Sequence, residues 1–235
     1  MNKKVWYWCL GILAVAIIAA LIWNATAPET PSGDANGGQM DHSGMDHGSS
    51  TDTEDPNLRG YLDEQDAIMA TMMTDMENIE HSGNAAIDFL AGMIPHHESA
   101  IAMAQSYQKY GGAHEVLAPL AQEIITAQTD EIEQMKGMIE RLRSGEAADE
   151  AQAKAYLEAY ADLMNHSMSH ASADSLDAAF AEGMIMHHQM AVDMANAILP
   201  HTSDEEVTKL AQTIVETQEK EISDMQDVLN ELQKS

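Results

Sequence analysis

One cysteine in 235 residues, Cys9, excludes an internal disulfide framework and any Cys-rich zinc or iron–sulfur centre. Basic residues are scarce as well: 11 Lys+Arg stand against 39 Asp+Glu, a formal net charge of −28. Nucleic-acid binding needs a basic face to neutralise phosphates, so no nucleic-acid partner is expected. No alternating run enriched in β-branched residues reads as a strand. A Gly-rich phosphate loop and a Ser–His–Asp order with its supporting motif are both missing, and no catalytic constellation is visible. What the chain has instead is 18 Met and 11 His. Methionine is ordinarily one of the rarer residues, so this excess needs an explanation.

Lys3 and Lys4 precede an uncharged apolar run over 5–23, near the short end of what spans a bilayer. Positive residues before it keep that end in the cytoplasm and send the rest outward. Ala25-Thr26-Ala27 resembles a signal-peptidase site. Pro28 directly after it and the length of the run favour an uncleaved anchor over a cleaved signal. The sequence thus predicts an anchor or signal over 1–27 and an extracytoplasmic (periplasmic) domain of the cell envelope, held at the cytoplasmic membrane. Residues 28–56 are rich in Gly, Ser, Asp, Thr and Pro, and read as a disordered linker. Within it stand Met40-Asp41-His42 and Met45-Asp46-His47, a tandem that reads as metal capture by Met40, His42, Met45 and His47.

From residue 57 the pattern is helical and duplicated. Phe89-Leu90-Ala91-Gly92-Met93-Ile94-Pro95-His96-His97 returns 91 residues later as Phe180-Ala181-Glu182-Gly183-Met184-Ile185-Met186-His187-His188. A second segment, with Leu120, Ile124, Gln128, Glu131, Ile132 and Met135, returns 90 residues later at Leu210, Ile214, Gln218, Glu221, Ile222 and Met225. Two matching pairs in the same order imply a duplicated helical hairpin, with repeats over 57–143 and 147–235. Asn84 and Asp174 read as N-caps, Gly111-Gly112 and Pro200 as stops, and Ser203 with Glu206 as a capping box. Amphipathic segments over 58–80, with Met69, Met72, Met73 and Met76, and over 147–169, with Met164, His166, Met168 and His170, precede the hairpins. The expected fold is all-α: six helices, four of them an antiparallel bundle.

Phe89, Met93, His96, Ala100 and Met103 step by 4, 3, 4 and 3 and so share one helix face, as do Phe180, Met184, His187, Ala191 and Met194. Met at such spacing is ordinarily core filler. Adjacent His pairs kept in both halves, each with Met about one turn before and two turns beyond, argue for metal ligation instead. Thioether with imidazole is a soft set that favours Cu(I), with Ag(I) as its analogue; Cu(II) is the remaining copper state to consider. Glu131 and Glu221 are positioned to orient the His rings. Calcium is not expected at a Met–His site, since it wants six or more oxygens and no twelve-residue loop supplies them. A di-iron carboxylate site needs Glu-x-x-His on two helices, and none of the 11 His has a Glu three residues before it.

The motif Phe-x-x-x-Met-Ile-x-His-His-x-x-Ala-x-x-Met-Ala, followed by Leu-Ala-x-x-Ile-x-x-x-Gln-x-x-Glu-Ile-x-x-Met, in two copies over 84–234, resembles the domain of unknown function family 305 (DUF305). That resemblance implies a ferritin-like bundle and exported Cu(I) handling of the CopM type, with Met and His ligands. By position it implies Met93, His96, His97, Met103 and Met135 in the first half, and Met184, His187, His188, Met194 and Met225 in the second. Met186 departs from the pattern where the first half has Pro95. The function expected is sequestration or delivery of copper, without enzymatic activity; the delivery partner is not identified by sequence. The rivals are a metal-dependent oxidase on the same fold and a structural helical module of the envelope.

Overall fold

An Asn side chain that accepts the amide protons of Ala86 and Ile87 starts helix α2 (Ala85–Lys109) at Asn84, where the spacing predicts it. The computed structural model describes residues 55–145, 149–164 and 173–234. Before α2 lies α1 (Pro56–Glu77), capped by Asp55 with Pro56 in its first turn. After it come α3 (Leu117–Gly145), α4 (Glu150–Met164), α5 (Leu176–Ile198) and, beyond a 3₁₀ turn at Leu199–His201, α6 (Glu205–Leu232). Gly111, at φ 91°, turns the chain out of α2 in the left-handed region that glycine enters without strain.

Two caps differ from expectation by one residue. Ser175, extended at φ −149°, caps α5 by accepting from Ala178 N–H, and Asp174 does not. Asp204 rather than Ser203 caps α6, accepting from Glu206 and Val207. Its carboxylate also meets Arg141 of α3 at 2.8 Å, a double use that a serine hydroxyl could not supply.

Helix α2 packs on α3 and α5 on α6, as the duplicated hairpins require. The hairpins join through α2 against α5; α3 and α6 touch only lightly. Met194 lies against Gly92, and Tyr107 stacks on Phe180 at 4.2 Å, so the start of α2 meets the end of α5 and the two run antiparallel. α1 and α4 both pack on the α2–α5 pair.

Two apolar clusters result. One holds Met72, Met76, Phe89, Met93, Met135, Tyr156 and Met194. The other holds Tyr61, Met103, Tyr107, Phe180, Met184 and Met225. Among the described residues no helix is long and apolar enough to cross a membrane. The apolar run over 5–23 and the Met-Asp-His tandem lie outside the described residues.

Candidate metal centre

Successive residues of a helix point about 100° apart. The rings of His96 and His97 on α2 accordingly splay to 6.3 Å between centroids, and those of His187 and His188 on α5 to 6.2 Å. All four are 0% exposed. Where α2 crosses α5, His96 and His187 face each other at 3.9 Å, tilted by 44°. That gap is a ring contact, too short to hold an ion between two imidazoles.

The outer ring of each pair turns to the partner helix of its own hairpin. His97 Nε2 lies 2.8 Å from Glu131 Oε2 on α3. His188 Nε2 lies 2.7 Å from Glu221 Oε2 on α6, a close contact off the line of a good hydrogen bond. A carboxylate only accepts, so Glu131 holds the His97 proton at Nε2 and leaves Nδ1 with its lone pair. Ser99 Oγ lies 2.7 Å from the His96 carbonyl and 2.6 Å from His187 Nε2.

Several ring nitrogens are buried and make no hydrogen bond: Nδ1 of His97 and His187, and both nitrogens of His96 and His188. Leaving a polar atom so costs about 1–3 kcal/mol, and native interiors rarely tolerate it. His96 and His187 are held well below the ordinary imidazole pKa, first by burial and next by repulsion from neighbouring His. They are therefore neutral at neutral pH, the form that ligates.

All six methionines of the two stripes, Met93, Met103, Met135, Met184, Met194 and Met225, are fully buried. The structure does not bring them together half by half as the duplication suggests. Met93 and Met135 share their cluster with Met194 of the other half, and Met184 and Met225 share theirs with Met103. The helical rise explains the exchange: ten residues separate Met93 from Met103, about 15 Å along the axis, too far for one ion. Antiparallel crossing then supplies the missing methionine from the opposite repeat.

Met72 and Met76 of α1 also join the first cluster. Their i, i+4 spacing was the available signal, though nothing in it specified which cluster they would enter. Among the described residues no group of three or more His, Cys, Asp or Glu converges on one point. Met40, His42, Met45 and His47, with His166, Met168 and His170, lie outside the described residues.

Glu131 also reaches a groove of 490 Å³ between α3 and α6, lined by Gln134, Met138, Arg141, Glu206 and Thr213. The acceptor that orients His97 is thus within reach of solvent. Glu131→Ala and Glu221→Ala are each expected to weaken metal binding about 10- to 100-fold by releasing ring orientation. Competition titration checks this, and unchanged affinity in both variants would show that the carboxylates do not act through the rings.

Residues 24–139 and 140–229 match the family model described as Domain of unknown function (DUF305). The protein L153 of Acanthamoeba polyphaga mimivirus is 38% identical over 55 residues, 23% of this chain and 36% of that protein, so the match spans only about a third of that relative's length. Among solved structures, CopM in the Cu(I)-bound form is 31% identical, covering 63% of this chain and 96% of that one, at a TM-score of 0.48. A DUF305 fragment from Deinococcus radiodurans is 28% identical, covering 63% and 96%, at a TM-score of 0.46.

Proposed function

This chain belongs to the DUF305 family, and from that premise we propose that it binds Cu(I) at its two His-His pairs. The observation that carries the reading is the spacing of the rings within each pair, 6.3 and 6.2 Å between centroids, together with their buried, unpartnered Nδ1 atoms. Neutral imidazoles suit copper ions. The thioethers of the two clusters add soft donors, which favour the same ions over zinc or iron. Cu(II) prefers a tetragonal nitrogen and oxygen set, which two buried imidazoles do not supply.

The copper is cargo. In this reading the protein sequesters or delivers it for copper tolerance outside the cytoplasm, held at the cytoplasmic membrane by the apolar run over 5–23. The linker's Met-Asp-His tandem gathers ions and passes them to the bundle. We propose binding rather than catalysis, and sustained oxygen consumption by the copper-loaded protein would count against it. Anaerobic titration of the full chain with Cu(I) against a competing chelator is expected to give two tight equivalents, unaffected by excess zinc. A chain that takes up no tight equivalent would defeat the copper reading and favour a purely structural module.

A further inference from the structure

Resting on that copper reading, we propose that the groove between α1 and α2 is the port through which the Cu(I) cargo enters, with Met72 as its transfer ligand. The groove has a volume of 290 Å³ and lies between Thr71, Met72 and Asp75 of α1 and Pro95, Glu98 and Ser99 of α2. A water takes up roughly 30 Å³, so an ion with part of its hydration shell fits. The floor touches both donor sets of the interior. Met72 is buried here and belongs to the cluster of Met93, Met135 and Met194. Ser99, also buried, lies 2.6 Å from Nε2 of His187. Pro95 stands four residues before Ser99 on the same face of α2, where the second half has Met186. It puts a short ring rather than a long thioether chain along the wall.

The mouth of this groove favours cations. Asp75 and Glu98 are exposed at its rim, and among the described residues no basic side chain lines it. A cleft lined by one sign of charge concentrates its counter-ion and raises association rates by about 10- to 1,000-fold. The groove between α3 and α6 is larger, but there Arg141 and Lys209 offset Glu131 and Glu206. Its charge is balanced, so it attracts a cation far less. Along the α1–α2 groove the donors change in order: carboxylate at the rim, thioether on the floor, imidazole beyond. Cu(I) prefers thioether and imidazole to carboxylate or water. Each exchange of ligand therefore carries the ion inward, with no change of oxidation state. Met72 is placed for the middle step, since it lines the groove and touches the buried methionines at once.

The test mixes the full metal-free chain anaerobically with Cu(I) as its cationic acetonitrile complex. Excess chromophoric chelator, added at timed intervals, counts the copper not yet taken up, and competition at equilibrium gives the affinity separately. Asp75→Asn with Glu98→Gln should slow uptake about 10-fold or more at low salt and flatten its salt dependence. Met72→Leu, close in volume, should slow uptake and release alike and leave the affinity unchanged, because a transfer ligand is vacated once the ion has moved on. Thr71→Trp, from an exposed position over the groove, should slow uptake, whereas Thr213→Trp at the α3–α6 groove should not. Unchanged affinity in each variant shows that fold and sites are intact. Unchanged uptake in any of the first three variants, or a slowing by Thr213→Trp as large as that by Thr71→Trp, overturns the port. Weaker affinity in Met72→Leu makes Met72 a resident ligand and overturns its transfer role. If the unaltered chain takes up no Cu(I), the copper reading itself falls.

Discussion

Replacing His97 and His188 together by glutamine is expected to remove both tight Cu(I) equivalents, lowering affinity by more than about a hundredfold at each pair. Loss of an orienting partner alone costs about 10- to 100-fold, and here the donor itself is removed from a two-imidazole set. Glutamine is chosen because its amide can still donate to Glu131 or Glu221, so no carboxylate loses its partner, and because it leaves a smaller cavity than alanine. The matched variant, His96→Gln with His187→Gln, removes the inner rings and is expected to act as strongly. Helical content measured alongside separates ligand loss from unfolding. Unaltered affinity in both variants would move copper off the His pairs and onto other donors, the methionine thioethers first. An oxidase is the remaining rival, and turnover in the presence of oxygen is its own signature.

The duplication, the helices and the four histidines were legible because they are local: a 91-residue repeat and a 3.6-residue period need no tertiary knowledge. The carboxylate partners were legible too, since Glu131 and Glu221 recur at matching places on the following helix. The distribution of methionines was not. It depends on the direction in which α2 crosses α5, and that follows from how two amphipathic hairpins bury their faces together. Met194 therefore joins Met93, and Met103 joins Met184, across the repeat boundary. The caps at Ser175 and Asp204 were missed by one residue for a similar reason. Asp204 is favoured by Arg141, which lies 63 positions away in sequence. Ser99 carries no signal at all until the ring of His187 is placed beside it.

Acidification is expected to destabilise the metal-free bundle well above the range where carboxylates titrate. His96 and His187 are completely buried and keep their protons off in the folded chain, first because burial disfavours charge and next because their His neighbours repel it. His97, His188, Glu131 and Glu221 are the ionisable groups that stand around them. In the unfolded chain each ring takes a proton near pH 6.5. Below that pH the unfolded state binds up to two more protons than the folded one, so stability falls as pH falls. The stabilisation is complete above pH 6.5 and is lost progressively toward the lowered folded-state values. Between pH 7.5 and 5.5 two such rings amount to about 2–3 kcal/mol. The lowered carboxyls of Glu64 and Asp204 add a loss of the same sign, but only at lower pH, so this window isolates the histidines. Chemical denaturation at pH 7.5, 6.5 and 5.5 measures the effect, and His96→Gln with His187→Gln should flatten it. Cu(I) bound to the neutral nitrogens should stabilise the fold at all three values, with affinity that weakens as protons compete. A flat profile for the metal-free protein over this window would mean that the inner rings are charged within the fold, and copper would then have to displace protons that the present geometry leaves no room for.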